Sequence, residues 1–101
     1  MKYTAYTKSD PYTLYEIEGT TKNLAAFIAT RSPFENDFYI FRDGRLFLTL
    51  VGFFIDRAVD KDFLAYELLP VLVPMQQGEV PTPTVKMTKK FVNKQREDFL
   101  L

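Results

Sequence analysis

The chain of 101 residues contains no cysteine, no histidine and no tryptophan, and only two serines, Ser9 and Ser32. Each absence removes a class of chemistry. Without cysteine there is no disulfide, no thiolate nucleophile and no zinc site of the Cys/His kind. Histidine is the usual general base near neutral pH, so neither a Ser-His-Asp nor a Cys-His constellation can be assembled. Neither serine lies in a G-x-S-x-G elbow. The four glycines, Gly19, Gly44, Gly52 and Gly78, form neither G-x-G-x-x-G nor a phosphate-binding loop. Catalysis would have to rest on carboxylates, Lys, Arg or Tyr. No catalytic, cofactor-binding or metal-ligating residue and no small-molecule ligand is expected.

Long apolar runs are also lacking. The longest are Leu50 to Ile55 and, counting its prolines, Leu68 to Met75. A membrane-spanning helix needs about 20 such residues. The first residues, Met1 to Tyr6, are polar and aromatic, without the apolar core of a secretory signal. The expectation is a cytoplasmic protein with no membrane association. The absence of cysteine suits a reducing compartment.

What is present is apolar bulk. Hydrophobic residues make up 47% of the chain and aromatics 16%, with ten Phe and six Tyr. That is too much for a disordered chain, and the length suits one domain. The 13 basic and 13 acidic residues cancel.

Along the chain, residues 3–7 read as a short strand rich in Tyr and Thr. Asp10-Pro11 makes a turn, with Asp able to bond its own backbone. Tyr12 to Glu18 reads as a second strand ended by Gly19. Thr20-Thr21 opens a helix over 21–31: Leu24, Phe27, Ile28 and Arg31 recur at helical spacing among three alanines, and Ser32-Pro33 stops it.

Phe38 to Ile55 is the most informative stretch. Asp43-Gly44 between apolar β-formers signals a two-residue type I′ hairpin, because both turn positions need positive φ. A regular ladder then sets Phe41 against Leu46, Ile40 against Phe47 and Tyr39 against Leu48. Tyr39, Phe41, Leu46, Leu48 and Leu50 would share one face; Phe38, Ile40, Phe47 and Val51 would share the other. Both faces are apolar, so both need cover, by helices, another layer or a partner chain. Gly52 marks a bulge or bend. Asp60 caps a short helix over 61–69; Pro70 and Pro74 make 68–75 either a kinked helix or an extended buried segment, and a helix ending near Leu69 followed by extended chain is the preferred reading. Residues 76–84, with Gly78, Pro81 and Pro83, form a surface connector.

The last segment, 85–101, differs in character. Lys86, Lys89, Lys90, Lys94 and Arg96 fall within 85–96, which holds no acid, whereas seven acids face four bases between Glu35 and Glu67. On a helical wheel Val85, Thr88, Phe91, Val92 and Phe99 share one side and Lys86, Lys90 and Lys94 the other, a basic amphipathic helix over 85–98. Val85, Met87 and Phe91 also fit a strand. Phe99-Leu100-Leu101 ends the chain with bare apolar residues, which favours docking.

The expected architecture is a single α+β domain: a small antiparallel sheet around the hairpin at 38–55, packed with two or three helices. The leading functional expectation is a non-enzymatic interaction or accessory protein. It would act as a homodimer or bind another protein, with Tyr39, Phe41, Leu46, Leu48, Phe99 and Leu100 as interface residues. The alternative is a nucleic-acid binder using Lys86, Lys89, Lys90, Lys94 and Arg96 on phosphates. Third is a carboxylate-based or metal-assisted enzyme. The cluster Asp56, Asp60, Asp62 and Glu67 invites that reading, but its spacing is not that of an EF-hand loop, and helix capping and solvation account for it.

Overall fold

The computed structural model describes residues 2–10, 12–30, 37–52 and 54–88. Six strands and two helical stretches alternate: β1 (Lys2–Thr7), β2 (Leu14–Glu18), α1 (Thr21–Thr30), β3 (Phe38–Arg42), β4 (Arg45–Val51), β5 (Phe54–Ala58), then α2 (Lys61–Phe63), a π-helical turn (Leu64–Leu68), α3 (Leu69–Gln76), and β6 (Val85–Thr88). The strands form one sheet in the order β5-β4-β3-β1-β2-β6, every neighbouring pair antiparallel. The fold is α+β, and the sheet is larger than a hairpin-centred core because β1, β2 and β6 extend it on one side of the β3–β4 hairpin and β5 on the other.

Local chemistry explains the elements. The Asp10 carboxylate accepts from the Tyr12 N–H at 3.2 Å and from the Thr13 hydroxyl at 2.8 Å, which turns β1 into β2. The Thr20 hydroxyl accepts from the Asn23 N–H at 3.1 Å and caps α1. Asp43 and Gly44 have φ of +50° and +82°, the type I′ signature. Asp60 caps α2 by accepting from the Phe63 N–H at 2.9 Å.

The hairpin register departs from the regular ladder. Phe41 faces Leu46, but Ile40 faces Leu48 and Tyr39 faces Thr49, leaving Phe47 as an extra residue in a β-bulge. Beyond the bulge every side chain changes face. Leu48 and Leu50 therefore join Phe38, Ile40 and Phe47 in the main core with Leu24, Phe27 and Ile28 of α1 and Leu68 and Leu72 of the second helical stretch. The opposite face carries a smaller cluster, Tyr6, Leu14 and Phe41, with Tyr39 and Leu46 packed on it. Its rings stack, Tyr6 lying 5.3 Å from Tyr39 and 5.9 Å from Phe41. Phe41 is 0% exposed in the single chain, so its own side chain needs no second copy to cover it.

Two further expectations are corrected. The helix begun at Lys61 does not end at Leu69 but continues through both prolines to Gln76. A π-helical turn immediately precedes Pro70, with the Leu69 N–H bonded to the Leu64 carbonyl. Widening the turn there relieves the clash between the proline ring and the carbonyl four residues back. Residues 85–88 are strand β6, not the start of a helix. Pairing to β2 supplies backbone hydrogen bonds that a four-residue helical start would lack. The expected helix beyond Thr88 lies outside the described residues.

Candidate interaction surface

The second helical stretch is unusual in composition. Residues 64–76, Leu-Ala-Tyr-Glu-Leu-Leu-Pro-Val-Leu-Val-Pro-Met-Gln, include one charged side chain, Glu67. Its inner side is anchored by Leu68 and Leu72, which are buried. Its outer side carries one charge, that of exposed Glu67, where an ordinary surface helix carries several. Tyr66 is 76% exposed and Val73 44%, and Pro70 and Pro74 are exposed beside them.

Strand β5 forms one edge of the sheet, and its first residues come near this helix. A cleft of ≈ 300 Å³ between them is lined by Phe54, Ile55, Leu64, Leu69, Leu72 and Gln76. An adjoining cleft shares Ile55 and Leu64 and extends along Asp56, Arg57, Ala58, Val59 and Lys61. Phe54, 78% exposed, is the most exposed large apolar side chain here, with Val59 at 60% and Val51 at 48%. The volume of the first cleft sits at the lower bound for small-ligand pockets, and its lining lacks the convergent charged or hydroxyl groups that orient a ligand.

The backbone edge of β5 does not invite an added strand. A second bulge leaves Asp56 without a partner in the β4 ladder, and Asp56-Arg57 sits mid-strand. Bulges and charges of this kind blunt sheet edges. The surface on offer is side-chain rather than main-chain.

The residues singled out in sequence are dispersed. Leu48 is 2% exposed on the helix-covered face and Phe41 0% on the other. Tyr39 and Leu46 are half-buried beside Phe41. Of these four, Phe41 and Leu48 are enclosed within one chain, whereas Tyr39 and Leu46 keep part of their surface in solvent. Phe99 and Leu100 lie outside the described residues, as do Lys89, Lys90, Lys94 and Arg96. Lys86 is exposed on β6, directly across from Glu16. Glu16 also holds the Lys2 ammonium at 3.0 Å, so the surroundings of Lys86 are of mixed charge. Among the described residues, no three carboxylates converge where they could hold a metal ion, and no helix is long and apolar enough to cross a membrane.

The turn of the main hairpin holds a polar-aromatic cluster that composition alone did not reveal. Arg42 and Arg45 stand opposite each other, a like-charge pair that opposes the turn. Arg42 escapes by lying over the Phe47 ring at 4.7 Å and the Phe63 ring at 5.7 Å. Tyr3 packs on Phe47 at 5.7 Å. Burial pushes the Tyr3 hydroxyl above its ordinary value, and the nearby Arg42 guanidinium pulls it part of the way back. No hydrogen bond of good geometry reaches the buried Tyr3 oxygen among the described residues.

No protein-family model, curated protein or solved structure matches this chain.

Proposed function

We propose that the protein is a non-enzymatic, self-associating interaction module that binds through the face formed by α3 and β5. One observation carries this reading: a helix with a single charge in thirteen residues leaves Tyr66, Pro70, Val73 and Pro74 in solvent. A helix apolar on all sides is normally covered on all sides, and a large exposed apolar patch on a small domain is the usual mark of a protein-binding site. The zero net charge offers no long-range repulsion between copies. Sedimentation equilibrium across the micromolar range tests the reading. The expected result is a mass that rises from one chain toward two with concentration; a single-chain mass throughout would defeat it.

A further inference from the structure

We propose that the sheet face turned away from the helices is a docking surface for the chain's own residues 89–101, which follow β6. Five residues of that face are nearly free of solvent in the single chain: Thr4 is 7% exposed, Tyr6 2%, Leu14 3%, Phe41 0% and Thr49 8%. Strand neighbours about 4.8 Å apart shield the flanks of a side chain, but side chains stand out from a sheet and keep their tips in water unless a further layer covers them. Among the described residues no helix or strand is that layer. Both helical stretches place their buried residues in the main cluster on the other face, and the outer cluster of Tyr6, Leu14, Phe41, Tyr39 and Leu46 is made of strand residues alone. The cover therefore comes from outside the described residues. Positions 1, 11 and 53 are single residues. Residues 31–36 are tied at both ends, to α1 on the helix-covered face and to the start of β3. Residues 89–101 remain.

The segment starts beside this face and is long enough to cross it. Thr88, the last residue of β6, pairs with Leu14 of the outer cluster, so the chain leaves the sheet at the margin of the patch. One row across this face runs Lys86, Glu16, Thr4, Phe41, Leu46, from β6 to β4. Four strand spacings separate its ends, roughly 19 Å. The thirteen residues 89–101 wound as a helix run about 20 Å, and more if extended, so they span the patch. Phe91, Val92 and Phe99 share one side of a helical wheel, with Lys90 and Lys94 opposite. That gives an apolar side for Tyr6, Leu14 and Phe41 and a charged one for water. Charge favours the same pairing: residues 89–101 carry four bases and two acids, the rest of the chain nine bases and eleven acids.

Paramagnetic broadening in the full chain tests this, and the lack of native cysteine allows a single label. A nitroxide on Lys94→Cys, on the charged side of the segment, is expected to broaden the amide signals of Thr4, Tyr6 and Phe41. Those of Tyr66 and Val73, on the helix beyond the sheet, should stay sharp. Dilution with wild-type chain of natural isotope abundance should leave the pattern unchanged. Broadening confined to β6 and β2 overturns the proposal, as does broadening that fades on dilution, which would mark a second copy as the source. As a second variant, Phe91→Glu combined with Phe99→Glu is expected to raise hydroxyl-radical labelling of Tyr6 and Phe41 several-fold, while Phe27, buried in the main cluster, stays protected. Unchanged labelling of Tyr6 and Phe41 in that variant overturns the proposal. If the variant unfolds and labels Phe27 as well, the broadening pattern of the Lys94→Cys chain decides alone.

Discussion

The side-chain amide of Asn23 grips both backbone polar groups of Thr84, sixty-one residues further along the chain. Its Nδ2 donates to the Thr84 carbonyl at 2.9 Å, and its Oδ1 accepts from the Thr84 N–H at 2.7 Å. The amide thus behaves as a peptide group at the end of a ladder. It also donates to the Glu18 carbonyl at 3.3 Å, and the Glu18 N–H donates to Thr84 at 3.2 Å. The first turn of α1 is thereby tied to both β2 and the entry of β6, a four-residue strand at the sheet edge.

Replacing Asn23 by Ala should loosen β6 rather than unfold the domain. Loss of two good hydrogen bonds leaves the Thr84 groups to water and costs about 1–2 kcal/mol. Hydrogen exchange of Val85 to Thr88 should accelerate while that of β1 and β3 stays slow. Asn23→Asp should be no better, because a carboxylate cannot donate to either carbonyl. Uniform acceleration across the sheet would contradict this assignment.

Gly44→Val should destabilise by more than about 1 kcal/mol in chemical denaturation, because a β-branched residue is strained at positive φ. No heavy atom lies within 4 Å of the Cβ position, so the cost is conformational and not steric crowding by neighbours. Gly44→Asn, which tolerates that region, should cost less. Equal losses for both substitutions would contradict the type I′ assignment.

Core and surface apolar residues should separate cleanly. Leu48→Ala removes a buried side chain from the main cluster and should cost about 2–5 kcal/mol. Phe54→Ala removes one that is 78% exposed and should stay within about 1 kcal/mol while weakening self-association. A thermal melt of each variant at low concentration decides this; a mild Leu48→Ala would restore Leu48 as an interface residue.

Alkaline pH should erode stability through Tyr3. Burial raises the pKa of its hydroxyl in the folded state above the ordinary 10.0. The neutral form is therefore favoured by folding. The contribution is fully present below the ordinary tyrosine value and is lost as pH climbs through the raised one. Denaturation midpoints should fall above pH 10, and Tyr3→Phe should fall less steeply. Since the Tyr3 oxygen is buried without a well-formed hydrogen bond, Tyr3→Phe should also cost little at neutral pH. A Tyr3→Phe variant with the same alkaline slope as the wild type would contradict the burial of that hydroxyl.

The sequence was most legible where backbone chemistry is local. Asp43-Gly44, Thr20, Asp10 and Asp60 each announce a turn or cap through the atoms of a few neighbouring residues, and all four act as expected. Register was less legible. Phe47 and Leu48 are both apolar, so adding one residue to the ladder leaves the hydrophobic pattern equally satisfied, and only tertiary packing selects the bulge. Pro70 and Pro74 argued for extended chain on local grounds. Burial of Leu68 and Leu72 against the sheet outweighs that preference once the turn before Pro70 widens. Val85 to Thr88 fits both a helical and a strand period because four residues cannot distinguish them. The hold of Asn23 on Thr84 is a long-range contact with no periodic trace. The exposed face of α3 was in view as an apolar run, but its outward side depends on the helix continuing through its prolines.

Concentration-dependent footprinting addresses the α3–β5 face most directly. The purified chain is labelled with hydroxyl radicals at low and at high micromolar concentration, and modification of Tyr66 and Phe54 is compared with that of Tyr12, which is 66% exposed on the β1–β2 connection. Tyr66 and Phe54 are expected to become protected as concentration rises, while Tyr12 is not. Equal labelling of all three at both concentrations, in a sample that has demonstrably associated, would contradict it.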